Sequence, residues 1–400
     1  MNPNDNPNDE QPPKPLKNED PQIFALTREA GGYKLERRSF LKAAAVMATA
    51  DMSGLARGES AASSEAQRTF EGNRMLLPED DMKTRPPAAH TGEVYSMAFS
   101  PDGKWLASGS LDGVKLWSMP DGKFIIPPNE DNNYAEAVAF RPDGKQVAAG
   151  GFHSSITLWP VPSRRLRVTL EGHRAIVRSV AFSPDGKLLA SASEDKTVKV
   201  WSVAGGNVLA SLNGKLLLTL AESNDGMVSV AFSPDGKWLA AGCRDHTVKL
   251  WSMPDGTLHA TLRGHENGIG SVAFSPDGKL LVSGGGNPVI KFWSMPGNVP
   301  LAETTGFSQL DYAEAVAFSP DGKWLAVGGC ANIGGGNTII RLLPVPHGPP
   351  QVTLVRNTGN LKSLAFSPDG KLLAAGYVWG CILLWEIGGH KRCWALFDPN

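Results

Sequence analysis

Four cysteines among 400 residues are too few for a disulfide-built scaffold. The chain has no run of about 18 apolar residues, which excludes a conventional transmembrane helix. Its charges nearly cancel, 39 basic against 40 acidic, so nucleic acid finds no electrostatic foothold. HExxH, CxxCH and GxSxG strings are absent, as is a GxxxxGKS or GxxxxGKT phosphate loop. From these absences we expect no metal site, no cofactor and no catalytic residue. What abounds instead is turn-forming sequence, 44 glycines and 30 prolines, which favours many short strands over long helices. Hydrophobic residues, at 41%, suffice for a substantial core.

A repeat organises the chain. Pro-Asp-Gly-Lys preceded by Ser or Arg recurs with its proline at 101, 142, 184, 234, 276, 320 and 368. Upstream of each copy lies an alternating apolar segment: YSMAFS, EAVAFR, RSVAFS, VSVAFS, GSVAFS, EAVAFS and KSLAFS. Downstream comes a second, such as WLASGS, and then a third that mostly ends in tryptophan, such as VKLW. A weaker fourth follows, such as LHATL. Period-2 patterning between turn residues predicts four short strands per unit. In Ser-Pro-Asp-Gly, proline pre-sets its φ and glycine takes the left-handed position, so this is a tight hairpin turn with a glycine bulge.

Four-stranded units at this spacing are the mark of propeller blades. Residues 87–400 resemble a seven-bladed WD-repeat β-propeller, an all-β fold of four-stranded antiparallel blades. The Trp-Asp pair that names the family is never complete: Trp117, Trp201, Trp251 and Trp293 precede Ser, Trp159 precedes Pro, and Trp385 precedes Glu. In the sixth blade Leu343 replaces the tryptophan. The resemblance implies a buried polar set of His173, Ser191, Asp195 and Trp201 in blade three. In blade one it implies His90, Ser108, Asp112 and Trp117. Blade five keeps His265 and Trp293, but Asn287 stands at the Asp position. Blades two, four, six and seven lack the histidine. Blades two and six also share YAEAVAF and a VP turn, which reads as a multi-blade duplication.

Ring closure is expected to rest on packing between blades. RCWALF at 392–397 reads as the outer strand of blade seven, and RTFEGNRMLL at 68–77 is the one upstream segment suited to add to an edge. Cys393 is expected opposite Leu384, a register that disfavours a disulfide with Cys381. Cys243 and Cys330 end second strands as small buried residues.

The first residues differ in kind. Residues 1–34 are polar and proline-rich and read as a disordered arm. Residues 35–56 contain Arg37-Arg38-Ser39-Phe40-Leu41-Lys42, which resembles a twin-arginine export signal. The residues carrying that resemblance are Arg37, Arg38, Phe40, Leu41 and Lys42. It implies a twin-arginine translocase as a partner and a bacterial, periplasmic location. Residues 57–86 read as a flexible linker.

In a propeller, the loops from strand four to the next strand one share a face with those from strand two to strand three. The resemblance makes that the partner-binding face. Here it is expected to present Tyr134, Phe152, His153, Arg174, Arg244, His246, Tyr312, Tyr377 and Trp379, because aromatic and arginine side chains anchor protein interfaces. Tyr134 and Tyr312, four blades apart, are expected to grip one partner from two sides. The functional expectation is an exported, non-catalytic protein-interaction scaffold. Amine dehydrogenase subunits and nitrous oxide reductase share the architecture, so a periplasmic enzyme or cofactor-binding subunit is one alternative. A cytoplasmic scaffold with an accidental RRSFLK is the other.

Overall fold

The computed structural model describes residues 24–29, 32–37, 70–71, 74–77, 87–126, 134–161, 167–203, 214–297, 300–304, 312–330, 337–345, 350–388 and 392–398. The chain divides into two units, Met1–Ser64 and Glu65–Asn400. In the first, Phe24–Glu29 pairs antiparallel with Gly32–Arg37, and Glu29 stands opposite Gly32. Of the signal-like residues, Arg37 ends the second of these strands, whereas Arg38, Phe40, Leu41 and Lys42 lie outside the described residues.

The second unit is a seven-bladed propeller, and its described residues contain no helix. Each blade is an antiparallel sheet whose strands follow chain order from the centre outward. Blade one comprises Val94–Phe99, Trp105–Ser110, Gly113–Ser118 and Lys123–Ile126. The first strands of the remaining blades are Ala135–Phe140, Val177–Phe182, Met227–Phe232, Ile269–Phe274, Ala315–Phe318 and Leu361–Phe366. The hairpin turns follow the predicted chemistry. In the first, Gly103 N–H donates to Ser100 O at 2.9 Å with Gly103 at φ 70°. The Ser100 hydroxyl donates to Asp102 at 2.6 Å, and Trp105 N–H donates back to it at 2.9 Å.

The apolar cores sit between blades rather than within them. The described residues form seven clusters, each shared by two neighbours. One joins Leu158 and Leu170 of blade two to Val177 and Trp201 of blade three, for example. Another joins Val94 and Trp117 of blade one to Leu384 and Leu396 of blade seven. Tryptophan near the end of the third strand is thus a wedge against the preceding blade. Leu343 takes that place in blade six, in a cluster with Val282 and Phe292 of blade five.

A second device joins the innermost strands. At five junctions a serine hydroxyl oxygen accepts a backbone N–H from the next blade. Ser96 accepts from Val138 at 3.0 Å, Ser179 from Val230 at 3.2 Å and Ser229 from Val272 at 3.1 Å. Ser271 accepts from Val316 at 3.3 Å, and Ser363 accepts from Met97 at 3.0 Å across the closing junction. Blades two and six carry Ala137 and Ala315 instead. Those two junctions hold ion pairs: Glu136 with Arg178 of blade three, and Glu314 with Lys362 of blade seven at 2.5 Å.

Closure combines packing with an added strand. Cys393–Leu396 completes blade seven from its own chain, and Arg74–Leu77 pairs antiparallel outside it. Leu77 is buried there against blade seven. Two further ties bind blade seven to blade one: Ala89 and His90 N–H donate to Gly380 O, and buried Lys115 pairs with Asp398 at 2.9 Å. The register at the last hairpin corrects the expectation by one residue, with Cys393 opposite Trp385 rather than Leu384. Cys243, Cys381 and Cys393 are buried. Cys330 ends its strand, but its side chain lies outside the described residues.

Ser229→Ala is expected to lower the unfolding free energy by about 1 kcal/mol, because Val272 N–H loses its acceptor. Urea unfolding of the two proteins measures it; equal midpoints contradict the role given to the hydroxyl.

Candidate interaction face

The structure brings together His173, Ser191, Asp195 and Trp201 at the loop end of blade three. Trp201 Nε1–H donates to Ser191 Oγ at 2.9 Å, and Ser191 meets His173 Nε2 at 2.7 Å. His173 Nδ1 meets Asp195 at 2.7 Å, and Asp195 also accepts from Arg174 N–H at 3.0 Å and from the Thr197 hydroxyl at 2.6 Å. A carboxylate only accepts, so Nδ1 carries the proton and Nε2 accepts from the serine hydroxyl. Blade one repeats the chain: Trp117 to Ser108 at 2.9 Å, Ser108 to His90 at 2.6 Å, then His90 to Asp112. Burial pushes the His90 and His173 imidazoles down, against the aspartates that oppose it. Burial alone would raise the Asp112 carboxyl, but the contacts with His90 and Thr91 N–H hold it well below the usual carboxylate range.

The set then degrades in two ways. In blade five, Ser283 bridges His265 at 2.8 Å and Trp293 at 2.9 Å. With Asn287 replacing the aspartate, His265 Nδ1 and Asn287 Oδ1 are buried without hydrogen bonds. Blade four is rewired, which the sequence reading misses. Ser223 takes the histidine position and bonds Asp245 at 3.1 Å. Ala241 stands at the serine position, and Trp251 Nε1–H turns to Glu222 at 3.1 Å.

Where the set is gone, the loop is released to solvent. His153 in blade two and Trp379 in blade seven occupy the position that Asp195 holds in blade three. Tyr134 and Phe152 are each 41% exposed and Trp379 is 37% exposed. These are the exposed large aromatics among the described residues, and all lie on the loop face. Tyr134 packs edge-on to Phe152 at 5.8 Å and stacks with His153 at 6.1 Å between centroids. Arg174, Arg244 and His246 are also exposed on this face. His246 has φ 67°, the left-handed turn position that Lys196 holds in blade three.

Two expected face residues behave differently. Tyr377 is 1% exposed and lies in the core with Trp385 and Cys393. It is therefore no surface anchor. Blade seven has no histidine, and the phenol fills that interior end of strand two. Tyr312 is half-buried, and its hydroxyl accepts from Asn360 Nδ2 of blade seven at 3.0 Å. Tyr134 and Tyr312 are thus not equivalent grips, although their backbones follow one path. A Cβ on Gly151 would meet Tyr134 O at 1.9 Å, and one on Gly329 would meet Tyr312 O at 1.8 Å. Only glycine admits that crossing.

The innermost strands line a cavity of about 140 Å³. Tyr95, Glu136, Arg178, Glu314 and Lys362 contribute its ionisable side chains. Arg178 also pairs with Glu194 at 2.7 Å, and Glu194 with Arg244 at 2.5 Å, so a charge ladder spans blades two to four. Burial raises the Glu136 carboxyl, with Arg178 opposing it. Burial, with Glu93 and Glu136 nearby, pushes the Tyr95 phenol up to about 12. Among the described residues, no group of three or more His, Cys, Asp or Glu is placed to hold a metal ion.

Burial and the adjacent Lys291 push the His265 imidazole down to about 4. The unfolded chain takes up that proton near pH 6.5, so stability present above pH 6.5 is lost as pH falls toward about 4. His265→Gln is expected to flatten that loss between about pH 7 and about pH 5, measured by urea unfolding. An unchanged pH slope contradicts it.

The family model described as WD domain, G-beta repeat matches residues 83–118, 164–202, 214–252, 256–294, 311–339 and 348–386. Together these exceed half the chain. Most of blade two is unmatched, in keeping with its missing polar set. WD repeat-containing protein 36 of Homo sapiens is 44% identical over 39 residues, which is 10% of this chain and 4% of that protein. The chain therefore matches only a small part of that relative's length. By the matched repeats and the seven blades they form, the chain belongs to the WD40-repeat family.

Proposed function

We propose that the protein is a non-catalytic scaffold that binds a protein partner on the propeller's loop face. The observation carrying this reading is the segregation of exposed aromatics: Tyr134, Phe152 and Trp379 all lie on that face. Aromatic side chains supply large contact area at low entropic cost, and a rigid ring holds their loops in place. Arg174 and Arg244 add charged contacts around them. We further propose that the protein is exported by the twin-arginine translocase to the periplasm. RRSFLK supports this, and so does the suitability of a slow-folding, non-local β-fold for a route that carries folded cargo.

Tyr134→Ala combined with Trp379→Ala is expected to weaken capture of the native partner by about tenfold or more while leaving the melting temperature near that of the parent. Undiminished capture by the folded variant removes this reading. Replacing Arg37 and Arg38 together with Lys is expected to hold the protein in the cytoplasm, followed by cell fractionation. Unchanged periplasmic recovery removes the export proposal.

A further inference from the structure

A free strand edge presents a row of unpaired N–H and C=O groups, and proteins blunt such edges with irregular register, proline, brevity or a cover. Most outer edges of this ring carry such a device. The outer strands of blades one, three, four and five slip register against their third strands, and that of blade five begins at Pro300. Blade two ends in a strand of only 4 residues, Val168–Glu171. Blade seven is covered by Arg74–Leu77. Blade six differs. Its outer strand, Val352–Asn357, keeps 6 residues in unbroken register with the strand inside it, and no described strand pairs with its other side. Its one charged residue, Arg356, is buried, so no charge guards the edge.

Blade seven shows what such an edge accepts. Its outer strand is likewise in unbroken register, and Arg74–Leu77 adds to it antiparallel. The added strand also stands beside blade six. Leu77 is buried in the cluster that holds Ile340, Leu342 and Leu354 of blade six, whereas Leu76 packs toward blade one. Val352, on the edge strand itself, packs against the same cluster but is only partly buried. Blade seven has 6 strands where blade six has 4, which leaves a step with Leu77 beside it. Blade two, whose edge is also in register, has four-stranded neighbours and no such step. We infer that the outer edge of blade six is a docking site for an extended segment of a protein partner, which adds antiparallel as a fifth strand. The backbone of Val352–Asn357 supplies the hydrogen bonds. Alternate side chains of the guest are apolar and turn toward Val352 and Leu77, continuing the core that blades six and seven already share. The site is separate from the loop face and does not depend on it.

Random short peptides displayed against the full-length protein test the inference. Edge binders are expected to alternate apolar and polar residues, and to slow amide exchange within 352–357 by about tenfold or more. N-methylation at every second residue of such a peptide should weaken binding by about tenfold or more, while N-methylation at the residues between should not, because only every second N–H of a strand points to a given neighbour. The same peptides should bind the Tyr134→Ala, Trp379→Ala protein as tightly as the parent, so this inference and the loop-face reading fail separately. If no binder slows exchange within 352–357, or if N-methylation costs the same at every residue, the inference is overturned. Protection of 352–357 in the free protein that rises with its concentration also overturns it, by assigning the edge to a second copy.

Discussion

A ring of wedges is only as sound as its weakest junction, and the junctions here are made at the innermost strands. No blade buries its own faces, because each apolar cluster belongs to two neighbours. Packing alone is non-directional. The direction comes from one polar tie per junction at the strand edge facing the channel. Five are serine hydroxyls taking a neighbour's N–H, and two are ion pairs, found where serine gives way to alanine. The closing junction uses the same serine tie as an ordinary one, then adds Lys115 with Asp398 outside it.

The loop face follows from how each blade spends its polar groups. A complete His-Ser-Asp-Trp chain pins the loops of blades one and three to the sheet beneath them. Blade four preserves the logic with different atoms, Ser223 and Glu222. Blades two and seven abandon it, and their loops turn aromatic side chains outward. Exposed aromatic side chains have thus collected where structural duty lapsed. In blade seven the vacated interior is refilled by Tyr377.

The architecture was legible because it repeats: Pro-Asp-Gly-Lys and the tryptophan wedge are each written many times. The four residues of the blade-three set were readable by resemblance, and the geometry joins them. Other features were written too but went unread. RSVAF, VSVAF and GSVAF carry the serine, and EAVAF carries the alanine together with the glutamate that replaces its function. Tyr377 was unreadable for another reason. An aromatic at the end of a second strand faces either solvent or the space of a missing histidine, and only the packed blade chooses. That 68–77 suits an edge was legible, but its register, with Leu77 opposite Cys393, was not, because an edge strand of four residues carries little pattern.

If the two kinds of tie do one job, they are interchangeable, and the junction between blades two and three allows a direct exchange. Glu136→Gln with Arg178→Met removes the ion pair there, and Ala137→Ser in that background installs the hydroxyl that the other junctions use. Urea unfolding is the measurement. The account predicts a loss of about 1–3 kcal/mol on removing the pair and recovery of about 1 kcal/mol with the serine. A loss of zero, or a serine that restores nothing in a folded protein, contradicts the claim that polar ties at the innermost strands hold the ring.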